Sequence, residues 1–329
     1  MAVLVISKND RKSHNLSLKK PGMKLVSSLR DAGIFQLLDV PNTLYLKGIK
    51  GRIYLLGLYI YSFVKLFNYR KQEYYFYNFH KAYLPLYLLC LVIKLRRPSL
   101  FLADGINCTG IKQNEVLFLS IFKRVISLPK NAVISKKSDY IWFPGCLEKD
   151  CLPINKSYKT NDKLKILFNS NLIRHNYPEE IIAFAKRNES IKILISESRQ
   201  SFITYLKLLN FKNLFIPSNI QFVGVLSEND YLNLLKHIDC ILILRDESNF
   251  YNKYNFPSKI IEALGHNIPI INTYPISSIS KNLYFEFKKE YSEKDLRYYL
   301  KKWHEGYFEF DRKCFLKNCD PKILSDWLK

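Results

Sequence analysis

A chain of 329 residues, 48% of them hydrophobic, is long enough for two domains with real cores and too apolar to remain disordered. Its 51 Lys and Arg face 29 Asp and Glu, a formal net charge of +22, so part of its surface meets something anionic: nucleic acid, phosphate or acidic lipid. The cysteines, at Cys90, Cys108, Cys146, Cys151, Cys240, Cys314 and Cys319, are odd in number and form no C-x-x-C pair. That argues against a disulfide framework and a zinc site and for a reducing compartment.

In chain order, the first expected strand is Val3–Ile6. Lys8, Asp10, Arg11 and Lys12 interrupt the start before the apolar core of a signal peptide forms, so a cytoplasmic chain is expected. The excess charge is concentrated early, with about 17 Lys and Arg against about 4 Asp and Glu in residues 1–100. Two apolar runs, 52–65 and 83–97, are interleaved with this charge. Each is shorter than the roughly 20 residues that span a bilayer. They read as core helices or as interfacial ones, and their flanking Tyr, Lys and Arg suit docking on an anionic leaflet. Further strands are expected at Tyr74–Tyr77, Leu100–Leu102 and Ala132–Ile134, with a last one at Ile141–Gly145. These fit a Rossmann-like domain that carries Tyr77-Asn78 and Asp104-Gly105 at strand ends.

Leu152–Lys163 is polar between apolar segments and marks the expected division into 1–155 and 156–329. Beyond it, Leu164–Phe168 reads as a strand running into the polar turn Asn169-Ser170-Asn171, and Pro178–Arg187 as a helix with Ile181, Ile182 and Phe184 inward. Ile191–Ser196 and Ile220–Gly224 read as the next strands. Ser227 opens a helix through His237 in capping-box style, and Asp239–Arg245 reads as another strand. Strands alternating with helices argue for a doubly wound parallel sheet. Ligands in such sheets bind beyond the carboxyl ends of the strands, where Arg174, Gly224, Arg245 and Glu262 would meet. No Gly-rich dinucleotide fingerprint and no Walker A motif is present.

The most telling stretch is Tyr254–Ile271. Pro257 disfavours helix for Phe256, Ser258 is suited to cap a helix whose first turns are Lys259–Leu264, and the backbone N–H groups there would face a phosphate. Glu262 lies one turn in, where a carboxylate accepts from a ribose diol. Gly265 and Asn267 end the helix, and Ile268–Ile271 reads as a buried strand.

This stretch resembles the nucleotide-binding region of the GT-B glycosyltransferases, particularly glycosyltransferase family 4, whose motif pairs two Glu ahead of a small-residue turn and an apolar strand. Glu262 matches the second Glu, and Tyr254 stands where the first would fall. The order strand, loop and helix from Leu164 to Arg187 is similar to the start of the same nucleotide domain, and Arg174 matches its diphosphate-binding basic residue. Where the family often has a further Lys, this chain has Glu179.

The resemblance implies two Rossmann-like domains facing across a cleft, with the last helices, around 296–303 and 321–327, crossing back. It implies transfer of a hexosyl group from a nucleotide sugar to an acceptor hydroxyl, with retention and without a metal or other cofactor. Arg174 would stabilise the leaving diphosphate, joined by the helix start at Pro257 and Ser258 and by Lys259, which is assigned from its place beside that start and not from a family match. Glu262, Ser170, Gly224 and Arg245 would hold the nucleotide. His80 would face the donor sugar, and Asn78 and Asp104 the acceptor. Combined with the basic N-terminal half, this implies a lipid-linked oligosaccharide acceptor in O-antigen or capsule assembly, and a peripheral position on the inner face of the plasma membrane. Two other classes remain open: a non-catalytic GT-B-like partner protein, consistent with Tyr254, and a basic nucleic-acid-binding protein. No RNP, KH, zinc-finger or basic-zipper signature accompanies the charge, so no nucleic-acid partner is expected.

Overall fold

The computed structural model describes residues 2–7, 27–40, 48–68, 72–77, 86–88, 99–102, 122–127, 139–147, 151–154, 163–170, 172, 177–211, 215–246, 248, 252, 256–287 and 292–329. The chain divides into two compact units. The first comprises Met1–Cys146, Lys253–Ser258 and Asn318–Lys329, and the second Leu147–Asn252 and Lys259–Lys317.

The first unit is built on six strands, β1 (Ala2–Ser7), β2 (Phe35–Val40), β3 (Tyr74–Tyr77), β4 (Ser99–Leu102), β5 (Arg124–Ser127) and β6 (Asp139–Trp142), in the order β2-β1-β3-β4-β5-β6. Each pairing is parallel. The order reverses between β1 and β3, as in doubly wound folds that start from the middle of the sheet. Three of the expected strands are β1, β3 and β4, and Ile141–Trp142 falls in β6. The expected strand at 132–134 lies outside the described residues. Helix α1 (Gly48–Asn68) contains the apolar run 52–65. Of the run 83–97 only 86–88 is described; it is helical, and Tyr87 is buried with its ring between Phe76 at 4.7 Å and Phe122 at 5.2 Å.

The second unit carries β7 (Lys165–Phe168), β8 (Lys192–Ile195), β9 (Ile220–Phe222), β10 (Cys240–Ile243), β11 (Ile270–Asn272) and β12 (Tyr284–Glu286), ordered β12-β11-β10-β7-β8-β9 and again parallel. After a leading Lys in β7 and β8, the central strands are continuous buried runs of Ile, Leu, Phe and Cys side chains, the pattern of strands covered on both faces. Between them lie α2 (Glu180–Arg187), α3 (Arg199–Leu208), α4 (Glu228–Leu235) and α5 (Ser258–Gly265). Helix α2 buries Ile181, Ile182 and Phe184, the three positions expected inward. Its first turn holds Glu180 and its last Lys186 and Arg187, which suits the helix dipole. Helix α4 starts where Ser227 accepts from the Asp230 N–H at 3.2 Å.

Two local details differ from the sequence reading. Helix α5 begins at Ser258 itself. Strand β11 starts at Ile270 because Pro269 has no N–H to place in a ladder; its carbonyl instead accepts from Ile241 at 2.9 Å. After α5 the chain reverses through Asn267, whose φ of 59° is the left-handed turn position that Asn tolerates.

Leu147 and residues 151–154, which precede the expected boundary, ride on the second unit. Ile154 donates its N–H to the His266 carbonyl at 2.9 Å, and His266 Nδ1 lies 3.0 Å from the Leu152 carbonyl. Gly265 makes this seating possible, because a Cβ there would overlap Leu147 Cδ1 and stand 2.6 Å from Cys151 Sγ. Gly265→Val is therefore expected to cost about 2 kcal/mol by overpacking, read as a lower urea midpoint with an unchanged slope.

The chain's last helices follow β12. Helices α6 (Glu293–His304) and α7 (Glu309–Lys317) belong to the second unit, while α8 (Pro321–Leu328) belongs to the first. Helix α6 opens with a full capping box between Ser292 and Asp295. Helix α7 is pinned by buried Arg312, which donates to the Leu264 carbonyl at 2.8 Å and grips Glu309 at 2.8 and 2.9 Å. Helix α8 places Leu324 in one core cluster with Ala2, Leu4, Phe35, Tyr75 and Phe143. Arg124 secures its end, stacking 5.1 Å from the Trp327 ring and donating to the Leu328 carbonyl at 3.4 Å.

Candidate functional site

In the second sheet the strand order reverses between β7 and β10. Beyond the carboxyl ends of the strands at such a switch point is the usual ligand position in open α/β sheets. The residues that end those strands are polar. Asn169 and Ser170 follow β7, Ser196 and Glu197 follow β8, Arg245 and Asp246 lie just past β10, and Asn272 closes β11.

The described side chains there form one connected group. Lys259, in the first turn of α5, places Nζ 2.6 Å from Glu262 Oε2 on the next turn. Both side chains are about a third exposed or less, at 32% and 26%, so the pair is reachable from solvent while fixed in place. Tyr231 of α4 underlies it. Lys259 Nζ stands 4.9 Å over the Tyr231 ring and 3.5 Å from its hydroxyl. Burial first, and then the Glu262 carboxylate beside it, pushes the Tyr231 phenol far above its usual value. The hydroxyl therefore stays protonated, with the Glu262 carboxylate and the Asn169 side chain as its polar neighbours. Asn169 Oδ1 in turn accepts from Ser196 Oγ at 2.7 Å. Cys151 Sγ lies 3.8 Å from the Glu262 carbonyl, closing the back of the group.

Two flanking features complete this end of the sheet. Gly224, just past β9, has a φ of 75° and open space where a Cβ would be, so the backbone there is bare and approachable. Arg245 is clamped through its backbone by buried Asn272, whose Oδ1 accepts its N–H at 3.2 Å and whose Nδ2 donates to its carbonyl at 3.3 Å. Beside β11, Tyr274 donates to Glu180, and Thr273 Oγ1 lies 3.5 Å from the same carboxylate. Burial and the Glu180 carboxylate hold the Tyr274 phenol well above its ordinary value.

Of the residues singled out in the sequence, the structure brings Lys259 and Glu262 into direct contact and sets Ser170, Gly224 and Arg245 at the same end of the sheet. Pro257 and Ser258 lead into α5, where the chain passes from the first unit to the second. Arg174, His80, Asn78, Asp104 and Tyr254 lie outside the described residues. Sequence reasoning missed Tyr231, Asn169, Ser196 and Cys151. Tyr231 had a readable signal, since it lies one turn before buried Leu235 on the same face of α4 and is the polar member of that pair. Among the described residues, no three His, Cys, Asp or Glu side chains are grouped as a metal site requires.

No family model matches the chain, and no curated protein matches it in sequence. Solved structures do match it. A glycosyltransferase from Rickettsia africae ESF-5 superposes with a TM-score of 0.64 at 13% identity, over 98% of this chain and 95% of its own. HepE of Anabaena, in complex with UDP, gives 0.61 at 10% identity over 100% and 98%. The lipopolysaccharide outer core galactosyltransferase WaaB gives 0.55 at 10% identity over 99% and 100%. At these identities the likeness shows the fold, and the fold is GT-B, with a Rossmann-like parallel sheet in each unit.

Proposed function

We propose that this protein is a metal-independent, retaining glycosyltransferase that moves a hexosyl group from a nucleotide sugar to a lipid-linked glycan at the inner face of the plasma membrane, in cell-surface polysaccharide biosynthesis. The observation that carries the reading is the Lys259–Glu262–Tyr231 group at the switch point of the second sheet. It supplies a fixed cation and a fixed carboxylate 2.6 Å apart, the two partners that a nucleoside diphosphate needs.

The chemistry follows from those groups. The bond from the anomeric carbon to the diphosphate oxygen breaks, a bond to the acceptor oxygen forms, and the acceptor hydroxyl gives up one proton. Negative charge grows on the departing diphosphate. Lys259, together with the unpaired N–H groups of the first turn of α5 and with Arg174, stabilises that charge. Glu262 accepts hydrogen bonds from the ribose hydroxyls, and Tyr231 keeps its carboxylate turned toward them. The sheet contributes rigidity, because Asn169 and Ser196 are tied to strand ends. HepE, whose structure contains UDP, makes a uridine nucleotide the first candidate donor base.

Titration calorimetry of UDP, GDP, ADP and CMP tests this. One nucleotide is expected to bind selectively, and Glu262→Ala to weaken it by at least about tenfold, the worth of a hydrogen bond to a charged group. Absence of binding by all four would overturn the reading and favour a non-catalytic GT-B partner protein.

A further inference from the structure

Helix α1 is apolar on the side that faces solvent as well as on the side that faces the core. At 100° per residue, Leu56, Phe67, Ile60, Val64 and Tyr61 fall in one sector about 140° wide, opposite buried Ser62 and Leu66. Their exposures are 60%, 40%, 57%, 54% and 48%. Single exposed apolar residues are ordinary in any protein. A continuous stripe of five along three turns of helix marks a surface that binds something. Gly57 and Asn68 are exposed in the same sector, and Asn68, the last residue of the helix, is its polar member among the described side chains.

The charge of the helix sequence and of the chain around it says what covers the stripe. The 21-residue helix GIKGRIYLLGLYIYSFVKLFN contains no Asp or Glu. Lys65 lies at the margin of the stripe with Nζ 4.7 Å from the Tyr61 ring, so its stem follows the apolar surface and its ammonium sits at the edge. The first hundred residues are the most basic part of a chain of net charge +22. The stripe is also small. From residue 56 to 67 it runs about 16 Å on a helix about 10 Å wide, roughly 160 Å², against the ~800 Å² per partner of a stable protein interface. A bilayer demands no such complementary area, and among the described residues no helix is long and apolar enough to cross one.

We infer that α1 is the element that docks this protein on an anionic bilayer. The helix lies in the plane of the interface, with Leu56, Ile60, Val64 and Phe67 at the acyl boundary and Lys65 among acidic headgroups. The inference rests on the membrane-associated reading above and names the surface that achieves it. It is separable from the transfer chemistry, because Lys259 and Glu262 belong to the other unit.

Co-sedimentation of the full chain with vesicles of phosphatidylcholine, alone or mixed with phosphatidylglycerol, is the test. The wild type is expected to partition onto the mixed vesicles and only weakly onto the neutral ones. The double variant Ile60→Ser/Val64→Ser is expected to lower that partition about tenfold or more. Both positions are exposed, so its melting temperature and nucleotide titration stay those of the wild type. Equal partition of variant and wild type would overturn the inference. So would a wild type that ignores anionic vesicles while sedimenting as a dimer that the double variant dissolves, since a second copy would then be the occupant. If Glu262→Ala partitions normally and no nucleotide binds any form of the protein, the transferase reading falls and the docking helix stands.

Discussion

On the transferase function proposed above, Lys259→Ala is expected to lower sugar transfer about 10²- to 10³-fold at saturating donor, the usual loss when one preorganised donor to a developing anion is removed. The size follows from how firmly the ammonium is held. Lys259 is gripped by Glu262 at 2.6 Å and lies over the Tyr231 ring at 4.9 Å, in the first turn of α5 where the helix dipole is positive. On that reading it needs no reorganisation as charge accumulates on a leaving diphosphate. The side chain is 32% exposed, so its removal costs little stability, and a melting curve near that of the wild type separates chemistry from folding. Lys259→Arg keeps the charge and should keep part of the rate. A kcat unchanged in Lys259→Ala would move the role to Arg174.

Asn272→Leu is expected to destabilise the second unit by about 3 kcal/mol. Asn272 is fully buried at the end of β11. Its Oδ1 accepts from the backbone N–H groups of Arg245 at 3.2 Å and Thr273 at 3.0 Å, and its Nδ2 donates to the Arg245 carbonyl at 3.3 Å. Leu has the same branched arrangement of four side-chain heavy atoms and offers none of these bonds, so all three are lost at about 1–3 kcal/mol each before relaxation. Urea denaturation reads the loss directly. Because the same side chain fixes the chain beyond β10, weaker nucleotide binding should accompany the lower midpoint. A loss below about 1 kcal/mol would mean that water takes over the three groups.

Legibility from the sequence varied with how local the cause was. Strands β7, β8 and β10 were readable because each is a short apolar run buried on both faces, and parallel sheets produce that pattern. Strand β5, with sequence RVIS, and β12, with YFE, were not. Two apolar residues do not distinguish a strand from a loop; their neighbours in the sheet impose the conformation. Strand β2 escaped for a related reason, since Gln36 and Asp39 break its apolar run.

The site divides in the same way. Lys259 and Glu262 are three residues apart on one helix, and a capped helix start before a Pro-punctuated strand announces them. Tyr231, Asn169, Ser196 and Cys151 reach the same place from segments 28 to 111 residues away. No periodicity or spacing encodes that meeting.

For α1 the sequence identifies a helix but not its exposed side, because both faces carry apolar residues and periodicity has nothing to separate. Burial decides it, with Leu66 inside and Ile60 and Val64 outside. What the sequence alone determined about this protein is therefore the set of segments whose own hydrogen bonds and apolar pattern select a conformation: the buried strands, the capped helices, the Glu-bearing turn and the basic first half. Tertiary structure decided which of these lie side by side. Placing β7 between β8 and β10 is a property of packing across the whole sheet, and that order joins Asn169 to Tyr231 and, through it, to Lys259 and Glu262.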